Sequence, residues 1–172
     1  MNKAIFFDRD GVLIEAPVID GFPKSIKNLK DLILCHDIEQ ICHFFKSKNF
    51  YLIMVTNQPD AVRGHNSKEN IIEINNYLKK KLNLDDVFVC FCSNDDCVNR
   101  KPNPGMIFKA QKKYNLNLNK SYFIGDRWRD IGASKSAKCN SILIDRNYNE
   151  KMIFDPDFVI KEIREIFDII NV

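Results

Sequence analysis

Four short polar segments of this sequence carry the residue types that phosphoryl transfer requires. In chain order they are Asp8-Arg9-Asp10-Gly11-Val12, Thr56-Asn57-Gln58, Arg100-Lys101-Pro102 and Gly125-Asp126. A carboxylate can attack phosphorus and form a covalent intermediate, and a second carboxylate two residues away can act as general acid and base. A hydroxyl group, backbone N–H groups and a lysine can hold the phosphoryl oxygens. Clustered carboxylates repel one another, so the same set predicts Mg²⁺, which takes oxygen ligands together with a substrate phosphate.

The elements that would position these segments are short apolar runs of the kind found in buried strands. The strands are predicted at Lys3–Phe7, Phe50–Val55, Val87–Phe91, Tyr122–Ile124 and Ser141–Ile144. Segments with apolar residues at helical spacing lie between them, and strands that alternate with helices indicate an α/β fold with a mostly parallel sheet covered on both faces. Sites in such sheets lie beyond the carboxyl ends of the strands, so we expect the four segments to meet at one edge.

Polar residues mark the expected starts of the helices. Asp37 and Ser67 are predicted N-caps, and Asn103-Pro104 reads as an N-cap followed by proline at the first helical position. Asp157 is expected to cap a last helix whose core-facing residues are Val159, Ile163, Ile166, Phe167 and Ile170.

The four segments, in this order, resemble the haloacid dehalogenase superfamily of phosphatases over nearly the whole chain. Arg63-Gly64 and the run Arg100-Lys101-Pro102-x-Pro104-Gly105-Met106 look like its heptose 1,7-bisphosphate phosphatase branch, and histidinol-phosphatase domains share much of this pattern. The resemblance implies a three-layer, Rossmann-like fold, with residues 1–172 as a single domain. Only Leu13 to Val55 separates the first two segments, which leaves no room for a large cap domain with its own core. We expect loops 14–25, 59–66 and 93–99 to shape the site instead.

The resemblance also implies a role for each matching residue. Asp8 would be the nucleophile and Asp10 the general acid and base. Asp8, the backbone carbonyl of Asp10 and Asp126 would bind Mg²⁺, while Thr56 and Lys101 would hold the transferred phosphoryl group. The expected substrate is a small phosphorylated metabolite, best a heptose with two phosphates that is cleaved at the primary carbon, as in the synthesis of cell-surface polysaccharides.

Four further residues are expected to bind substrate: Asn57, Gln58, Arg100 and Arg127. Because Lys101 would serve the transferred phosphate, Arg100 is left for a second anionic group, which a planar guanidinium can hold through two bonds. Arg127 stands where the family often has lysine, and it can also hold an anion as a planar fork. Asp130 leaves two interpretations open: an acid favoured by the dipole at a helix start, or a support for the metal-binding residues.

Three of the six cysteines lie where the heptose-phosphatase branch has a structural zinc site. The segments are Cys90-Phe91-Cys92 and Cys97-Val98-Asn99, with cysteine in place of the expected histidine and asparagine in place of the last cysteine. Structural zinc is held by four nitrogen or sulfur ligands. Cys90, Cys92 and Cys97 therefore form a degenerate zinc site, and the alternative is a metal-free loop tied by Asp95 or Asp96. The ligand count favours the loop without zinc.

The composition argues against other classes of protein. The net charge is only +3, and the one compact basic run, Lys79-Lys80-Lys81, lies at the end of a predicted helix, so no nucleic-acid-binding face is indicated. No apolar stretch reaches the roughly 18 residues of a membrane span, and Met1-Asn2-Lys3 leads straight into a strand without a signal peptide. We therefore expect a cytoplasmic protein with reduced cysteines and no membrane partner, and we favour a monomer.

Three alternatives compete with a heptose phosphatase. One is a histidinol-phosphate or other sugar-phosphate phosphatase on the same fold. Another is a phospho-acceptor signalling domain similar to a receiver; receivers, however, carry the acceptor aspartate after their third strand, whereas here the Asp8-x-Asp10 pair follows the first. The last is an inactive zinc-binding interaction domain, which the intact acids and Lys101 argue against.

Overall fold

The alternation of strands and helices expected from the sequence is present in the computed structural model, which describes residues 1–170. The strands are β1 (Lys3–Phe7), β2 (Val18–Ile19), β3 (Phe22–Pro23), β4 (Phe50–Asn57), β5 (Asp86–Cys90), β6 (Tyr122–Gly125), β7 (Asn140–Ile144) and β8 (Phe158–Ile160). The α-helices are α1 (Ile38–Ser47), α2 (Lys68–Lys81), α3 (Gly105–Tyr114), α4 (Trp128–Ala137) and α5 (Ile166–Ile169). Single 3₁₀ turns lie at Leu29–Asp31, Pro59–Ala61, Leu118–Lys120 and Ile163–Glu165.

Six strands form one sheet in the order β5-β4-β1-β6-β7-β8. Every neighbouring pair in this sheet is parallel. The central strand β1 pairs Phe7 with Met54 on one side and with Ile124 on the other. Asp8 therefore follows β1 beside the carboxyl ends of β4 and β6, as the sequence pattern predicts.

The sheet separates two apolar cores, because successive side chains of a strand point to opposite faces. Ile5 and Phe7 of β1 pack with residues of α1, α2 and the C-terminal segment. Ala4 and Phe6 pack on the other face with residues of α3 and α4. The architecture is therefore the predicted three-layer α/β fold.

The insertion between β1 and β4 contains one feature that the sequence did not reveal. Strands β2 and β3 form a two-stranded antiparallel hairpin, which is too short to show an alternating pattern. This hairpin, one 3₁₀ turn and α1 account for the helices and strands of the insertion, so no large cap is present within residues 1–170. None of the helices in that range is both long enough and apolar enough to cross a membrane.

The predicted helix starts are right to different degrees. The Ser67 hydroxyl accepts a hydrogen bond from the Asn70 N–H at 3.1 Å, as an N-cap should. Asp37 does precede α1, but it has a left-handed φ of 62° and its side chain makes no capping bond. Helix α3 begins at Gly105, one residue later than predicted, with Pro104 directly before it.

The helix predicted to follow Asp157 does not begin there. Asp157 does not cap a helix; its carboxylate accepts bonds from the N–H and the hydroxyl of Ser141, at 2.8 and 2.7 Å. This ties the following segment to β7, where residues 158–160 pair as β8, and Val159 is exposed. Pairing with an open strand edge satisfies the backbone groups that a helix would otherwise have satisfied internally. Only Ile166–Ile169 forms α5.

We expect Phe45→Ala to destabilise the fold strongly. The Phe45 ring is fully buried, and the rings of Phe44, Phe50 and Phe167 lie 5.1, 5.5 and 5.7 Å from it. Loss of this ring should lower the free energy of unfolding by about 3–5 kcal/mol in urea titrations. Phe108→Ala, at a residue of α3 that is 45% exposed, is the control and should change it by only about 0.5 kcal/mol. Equal effects of the two substitutions would contradict this description of the core.

Candidate active site

A cleft lies beyond the carboxyl ends of the central strands. Five of the residues predicted from the sequence line it: Asp8, Asp10, Asn57, Lys101 and Arg127. The remaining lining comes from Asp130, Arg129 and the segment 23–25 at the end of the hairpin. Of the three loops expected to shape the site, only loop 14–25 lines the cleft; loop 93–99 contacts its rim through Asp95, and no residue of loop 59–66 is among the lining residues.

The centre of the cleft is a buried lysine between carboxylates. The Lys101 Nζ lies 2.7 Å from Asp8 Oδ1 and 2.6 Å from Asp130 Oδ1. It also donates to the backbone carbonyl of Val55 at 2.8 Å. These contacts engage all three donors of the ammonium group, so Lys101 has one well-defined position against Asp8.

Burial changes the acidity of these groups. Burial, together with the negative charges of Asp130 and Asp10, raises the pKa of Asp8 to about 6, although Lys101 acts in the opposite direction. Burial likewise raises the pKa of Asp126 well above its ordinary value, and the charges of Asp130 and Asp8 add to that effect. Burial alone would lower the pKa of Lys101, but the charges of Asp130 and Asp8 outweigh it and raise the pKa. Without a further cation, the cluster thus holds more negative charge than it can stabilise.

The donor set of this cluster fits a hard divalent cation. One carboxylate oxygen each of Asp8, Asp126 and Asp130 lies within 4.8 Å of the others, and all three residues are buried. Asp126 Oδ1 is buried and has no hydrogen-bond partner within residues 1–170. Three acids against one lysine, with an oxygen left unpaired, suit Mg²⁺ and its preference for oxygen ligands.

Asp130 lies at the start of a helix, as one of the two interpretations from the sequence has it, and its side chain also contacts Lys101. Its Oδ2 accepts a hydrogen bond from the Arg127 N–H at 3.0 Å, at the start of α4, while its Oδ1 contacts Lys101. Gly125 makes this position possible, because a Cβ there would lie 2.2 Å from the Asp130 Cβ. One carboxylate therefore joins the start of a helix to the lysine of the cleft.

The Asp10 side chain lines the cleft and accepts several hydrogen bonds. Its Oδ2 accepts from Gln58 Nε2 at 2.8 Å and from the Ser25 hydroxyl at 3.1 Å. Arg9 donates to both carboxylate oxygens, from Nε at 3.1 Å and from Nη2 at 3.2 Å. Arg9 is fully buried, and its Nη1 donates to Asn75 Oδ1 of α2 at 3.1 Å. Asp10 is thus fixed by three different segments of the chain.

The carboxyl end of β4 and the residue that follows it make several hydrogen bonds to groups at the cleft. Gln58 is fully buried and also donates to the Thr56 hydroxyl at 2.9 Å. The Asn57 side chain bonds both backbone groups of Lys101: it donates to the carbonyl at 3.0 Å and accepts from the N–H at 3.1 Å. Asn57 lines the cleft, whereas Thr56 and Gln58 are buried and do not; Gln58 contacts the cleft residue Asp10.

Arg100 is not among the residues that line the cleft, contrary to the expectation from the sequence. Its side chain is 7% exposed, and it donates to Asp95 Oδ1 at 3.1 Å and to the Cys92 carbonyl at 2.9 Å. The residue at the rim is Arg129, which binds the Asp95 carboxylate through Nη1 and Nη2 at 2.8 and 3.2 Å. The reason is the path of loop 93–99, which folds over Arg100 and brings Asp95 between the two arginines.

The cysteine segment differs from the prediction in its oxidation state. The Sγ atoms of Cys90, Cys92 and Cys97 cluster within 4.8 Å, as the spacing suggested. However, Cys92 and Cys97 are joined in a disulfide, whereas we expected reduced thiols. The sequence argument weighed only the cellular compartment, while the loop places these two side chains against each other. The Asp95 carboxylate contacts Arg100 and Arg129, which lie outside loop 93–99, and a loop without metal stays a prediction.

Four residues around the site were not predicted from the sequence: Arg9, Ser25, Arg129 and Tyr148. The Tyr148 hydroxyl donates to Asp126 Oδ2 at 2.8 Å. It belongs to the polar run Asp145-Arg146-Asn147-Tyr148-Asn149-Glu150, which follows the carboxyl end of β7. The rule that sites lie beyond the carboxyl ends of parallel strands could have identified this run as well. Arg9 and Arg129 carried no comparable signal, because their roles depend on the direction of their side chains.

Comparison with known proteins gives consistent results. Residues 3–154 match the family model described as polynucleotide kinase 3 phosphatase. The chain is 30% identical over 172 residues to a D-glycero-alpha-D-manno-heptose-1,7-bisphosphate 7-phosphatase of Campylobacter jejuni, with 96% of each chain covered. It is 31% identical to a D-glycero-beta-D-manno-heptose-1,7-bisphosphate 7-phosphatase of Pasteurella multocida, over 84% of this chain and 82% of the relative.

A solved structure supports the same assignment at the level of the fold. The crystal structure of a D,D-heptose 1,7-bisphosphate phosphatase from B. bronchiseptica, complexed with magnesium and phosphate, superposes with a TM-score of 0.81 at 23% identity and covers 96% of each chain. The family match, the relatives and this fold agree with the acid and lysine cluster at the sheet edge. The chain belongs to the haloacid dehalogenase superfamily of phosphatases, in the branch of the heptose-1,7-bisphosphate 7-phosphatases.

Proposed function

We propose that this protein is a phosphatase that forms a phospho-aspartate on Asp8 and removes one phosphate from a heptose 1,7-bisphosphate. The observation that carries this proposal is the contact of 2.7 Å between Asp8 Oδ1 and Lys101 Nζ beside two further buried acids. Asp8 follows the central strand β1, and the ammonium group of Lys101 holds its carboxylate in a position to attack phosphorus. The names of the two curated relatives support the substrate class.

The first step transfers the phosphoryl group to the enzyme. A carboxylate oxygen of Asp8 attacks phosphorus, and the bond between phosphorus and the sugar oxygen breaks. Protonated Asp10 gives its proton to the leaving alkoxide, so the sugar departs as an alcohol. Lys101 and Thr56 would hold the oxygens of the transferred group in place. The bonds from Gln58 and Arg9 fix the Asp10 carboxyl for this transfer.

The second step releases phosphate. The Asp10 carboxylate removes a proton from water, and the water oxygen attacks phosphorus of the acyl phosphate. The bond between phosphorus and Asp8 breaks, and Asp8 returns as a carboxylate. The same residue thus acts as acid in one step and as base in the next, which restores the enzyme.

We propose that Asp8, Asp126 and the backbone carbonyl of Asp10 hold Mg²⁺, with Asp130 beside them. The support is the excess of buried acids over cations and the unpaired Asp126 Oδ1. When bound, the ion supplies positive charge to the phosphoryl oxygens and lets a dianionic substrate approach the acids.

We propose that the rim of the cleft recognises the second phosphate of the substrate. Arg129 and Lys24 line the cleft and carry positive charge. Arg127 lines it too, but its guanidinium donates to the Glu150 carboxylate, from Nε at 3.0 Å, so Arg129 and Lys24 are the main candidates. Arg100 would act through the Asp95 carboxylate, which it shares with Arg129. One relative is named for the alpha and the other for the beta heptose, so both anomers belong in the assay.

We propose that the cysteine loop works without zinc and positions Asp95. Metal analysis of protein purified without added zinc tests this directly, and a full equivalent of zinc would contradict it. The single-domain organisation over residues 1–172, the cytoplasmic location and the monomeric state stay predictions from the sequence.

Asp8→Asn should abolish turnover and leave the fold intact, because the amide keeps the shape of the carboxylate but cannot attack phosphorus. Asp10→Asn should lower kcat by about 10²- to 10⁴-fold, the usual contribution of general acid–base catalysis. Phosphate release and circular dichroism measure the two properties. Near-normal turnover of Asp8→Asn would mean that another group is the nucleophile.

Mg²⁺ should stabilise the protein more at about pH 7.5 than at about pH 5. The pKa of Asp8 is raised from 3.8 to about 6 in the metal-free fold, which therefore binds more protons than the unfolded chain and loses stability as the pH rises through this range. Mg²⁺ removes that penalty only where the acids are ionised. Thermal unfolding with Mg²⁺ and with EDTA measures the shift, and Asp126→Asn should lose most of it. An equal shift at both pH values would contradict this assignment, as would activity that survives EDTA.

A heptose 1,7-bisphosphate should exceed histidinol phosphate and a 3′-phosphorylated oligonucleotide in kcat/KM by roughly tenfold or more. Arg129→Met should raise KM for the bisphosphate by about 10- to 100-fold, the loss expected for a hydrogen bond to a charged group. KM for a simple monophosphate should change little. Lys109→Met, at an exposed residue of α3, is the charge-matched control. If histidinol phosphate is the better substrate by tenfold or more, the proposed recognition of a second phosphate is wrong.

A further inference from the structure

Two residues of the segment that follows β7 contact the region of the proposed metal site. The Tyr148 hydroxyl donates to Asp126 Oδ2 at 2.8 Å. Arg146 donates to the Gly11 carbonyl twice, from Nε at 3.2 Å and from Nη2 at 3.0 Å. Neither Tyr148 nor Arg146 has a role in the proposed mechanism. Tyr148 nevertheless contacts Asp126, and Arg146 contacts Gly11, which follows Asp10.

We propose that Tyr148 is a positioning residue for the metal-binding carboxylate: its hydroxyl fixes Asp126 Oδ2, so that Oδ1 faces the cation. The inference rests on the proposed function, since it takes the acid cluster to be a Mg²⁺ site. It adds a residue that sets how tightly the ion is held, rather than one that contacts the ion or the substrate.

The hydrogen bonds of Asp126 carry this inference. Asp126 is 4% exposed, and its Oδ1 has no partner among the described residues. A phenol has a single proton to donate, so Tyr148 can satisfy only one of the two oxygens. A buried carboxylate oxygen without a partner is costly, and a cation in the cluster would satisfy it. The arrangement is that of a ligand held on its outer side by a donor, which is how proteins orient metal-binding side chains.

Gly11 is the residue that makes room for this pair. A Cβ at this position would lie 1.9 Å from Asp126 Oδ2 and 2.9 Å from the Tyr148 hydroxyl. Gly11 also has a φ of +86°, which side chains rarely adopt. The glycine that follows Asp10 thus serves the contact between Asp126 and Tyr148, and Arg146 holds its carbonyl in place.

Tyr148 does not act as a wall of the catalytic cleft. The residues that line that cleft do not include it; Tyr148 lines a small neighbouring cavity together with Asp126, Arg146 and Glu150. Substrate in the cleft therefore meets Asp8, Asp10 and Lys101 without touching Tyr148. A change at Tyr148 should reach the reaction only through Asp126, so its primary effect is on metal affinity.

The test compares Tyr148→Phe with Tyr114→Phe. Tyr114 is a matched control, because its hydroxyl also donates to a carboxylate, Asp86 Oδ2 at 3.1 Å, far from the site. Mn²⁺ alone is titrated into each metal-free protein, and electron paramagnetic resonance measures the free ion. Tyr148→Phe should raise the Kd for Mn²⁺ by about 10- to 100-fold, as for other lost outer partners of metal ligands. Tyr114→Phe should leave it unchanged.

The outcomes separate this inference from the proposed function. If the wild-type protein binds no Mn²⁺ at the cluster, which Asp126→Asn identifies, the metal site of the proposed function fails. If wild type binds and Tyr148→Phe binds within about twofold of it, or more tightly, only the role of Tyr148 is overturned. Thermal unfolding in EDTA checks that Tyr148→Phe is folded. If it is not, Tyr148→Met provides the same measurement.

Discussion

The ion contacts of Lys101 are the interaction on which the rest of this site depends. Its ammonium group binds Asp8 and Asp130 and the carbonyl of Val55, so it joins three segments of the chain at one point. Removing one partner of a buried ion pair leaves an uncompensated charge, which is far more costly than losing an exposed pair. The position of the Asp8 carboxylate is therefore inseparable from the stability of the sheet edge that carries it.

The fold holds the carboxylates of Asp8, Asp126 and Asp130 close together although they repel one another. Asp8 and Asp126 both have raised pKa values because they are buried close to other acids. Such repulsion is useful when a bound cation relieves it, because part of the free energy of metal binding then becomes free energy of folding. The hydrogen bond from Tyr148, for which Gly11 leaves space, satisfies Asp126 Oδ2. Asp126 Oδ1 is then the carboxylate oxygen left for a cation.

Much of the site was readable from the sequence because strand ends converge in a parallel sheet. Asp8, Lys101 and Asp126 meet as predicted, since a buried strand fixes the position of the residue after it. What could not be read is the direction of side chains on loops. Arg100 turns to Asp95, and this depends on a loop path that no periodicity encodes. The prediction of the last helix was wrong for a related reason. Residues 158–160 pair with the open edge of β7 as a strand, and the spacing of apolar residues along the chain carries no information about that edge.

The central position of β1 also bears on how the chain emerges during synthesis. This strand is translated before its partners β4 and β6, which end at Asn57 and Gly125. Until both have left the ribosome, the nascent chain presents an unpaired edge of a strand whose residues Ala4 to Phe7 are all fully buried in the finished fold. Such an edge is prone to pair with other chains. Strand β1, which leads into Asp8, is thus exposed to such pairing until β6 has been made, and a chaperone that covers it during that interval protects the chain.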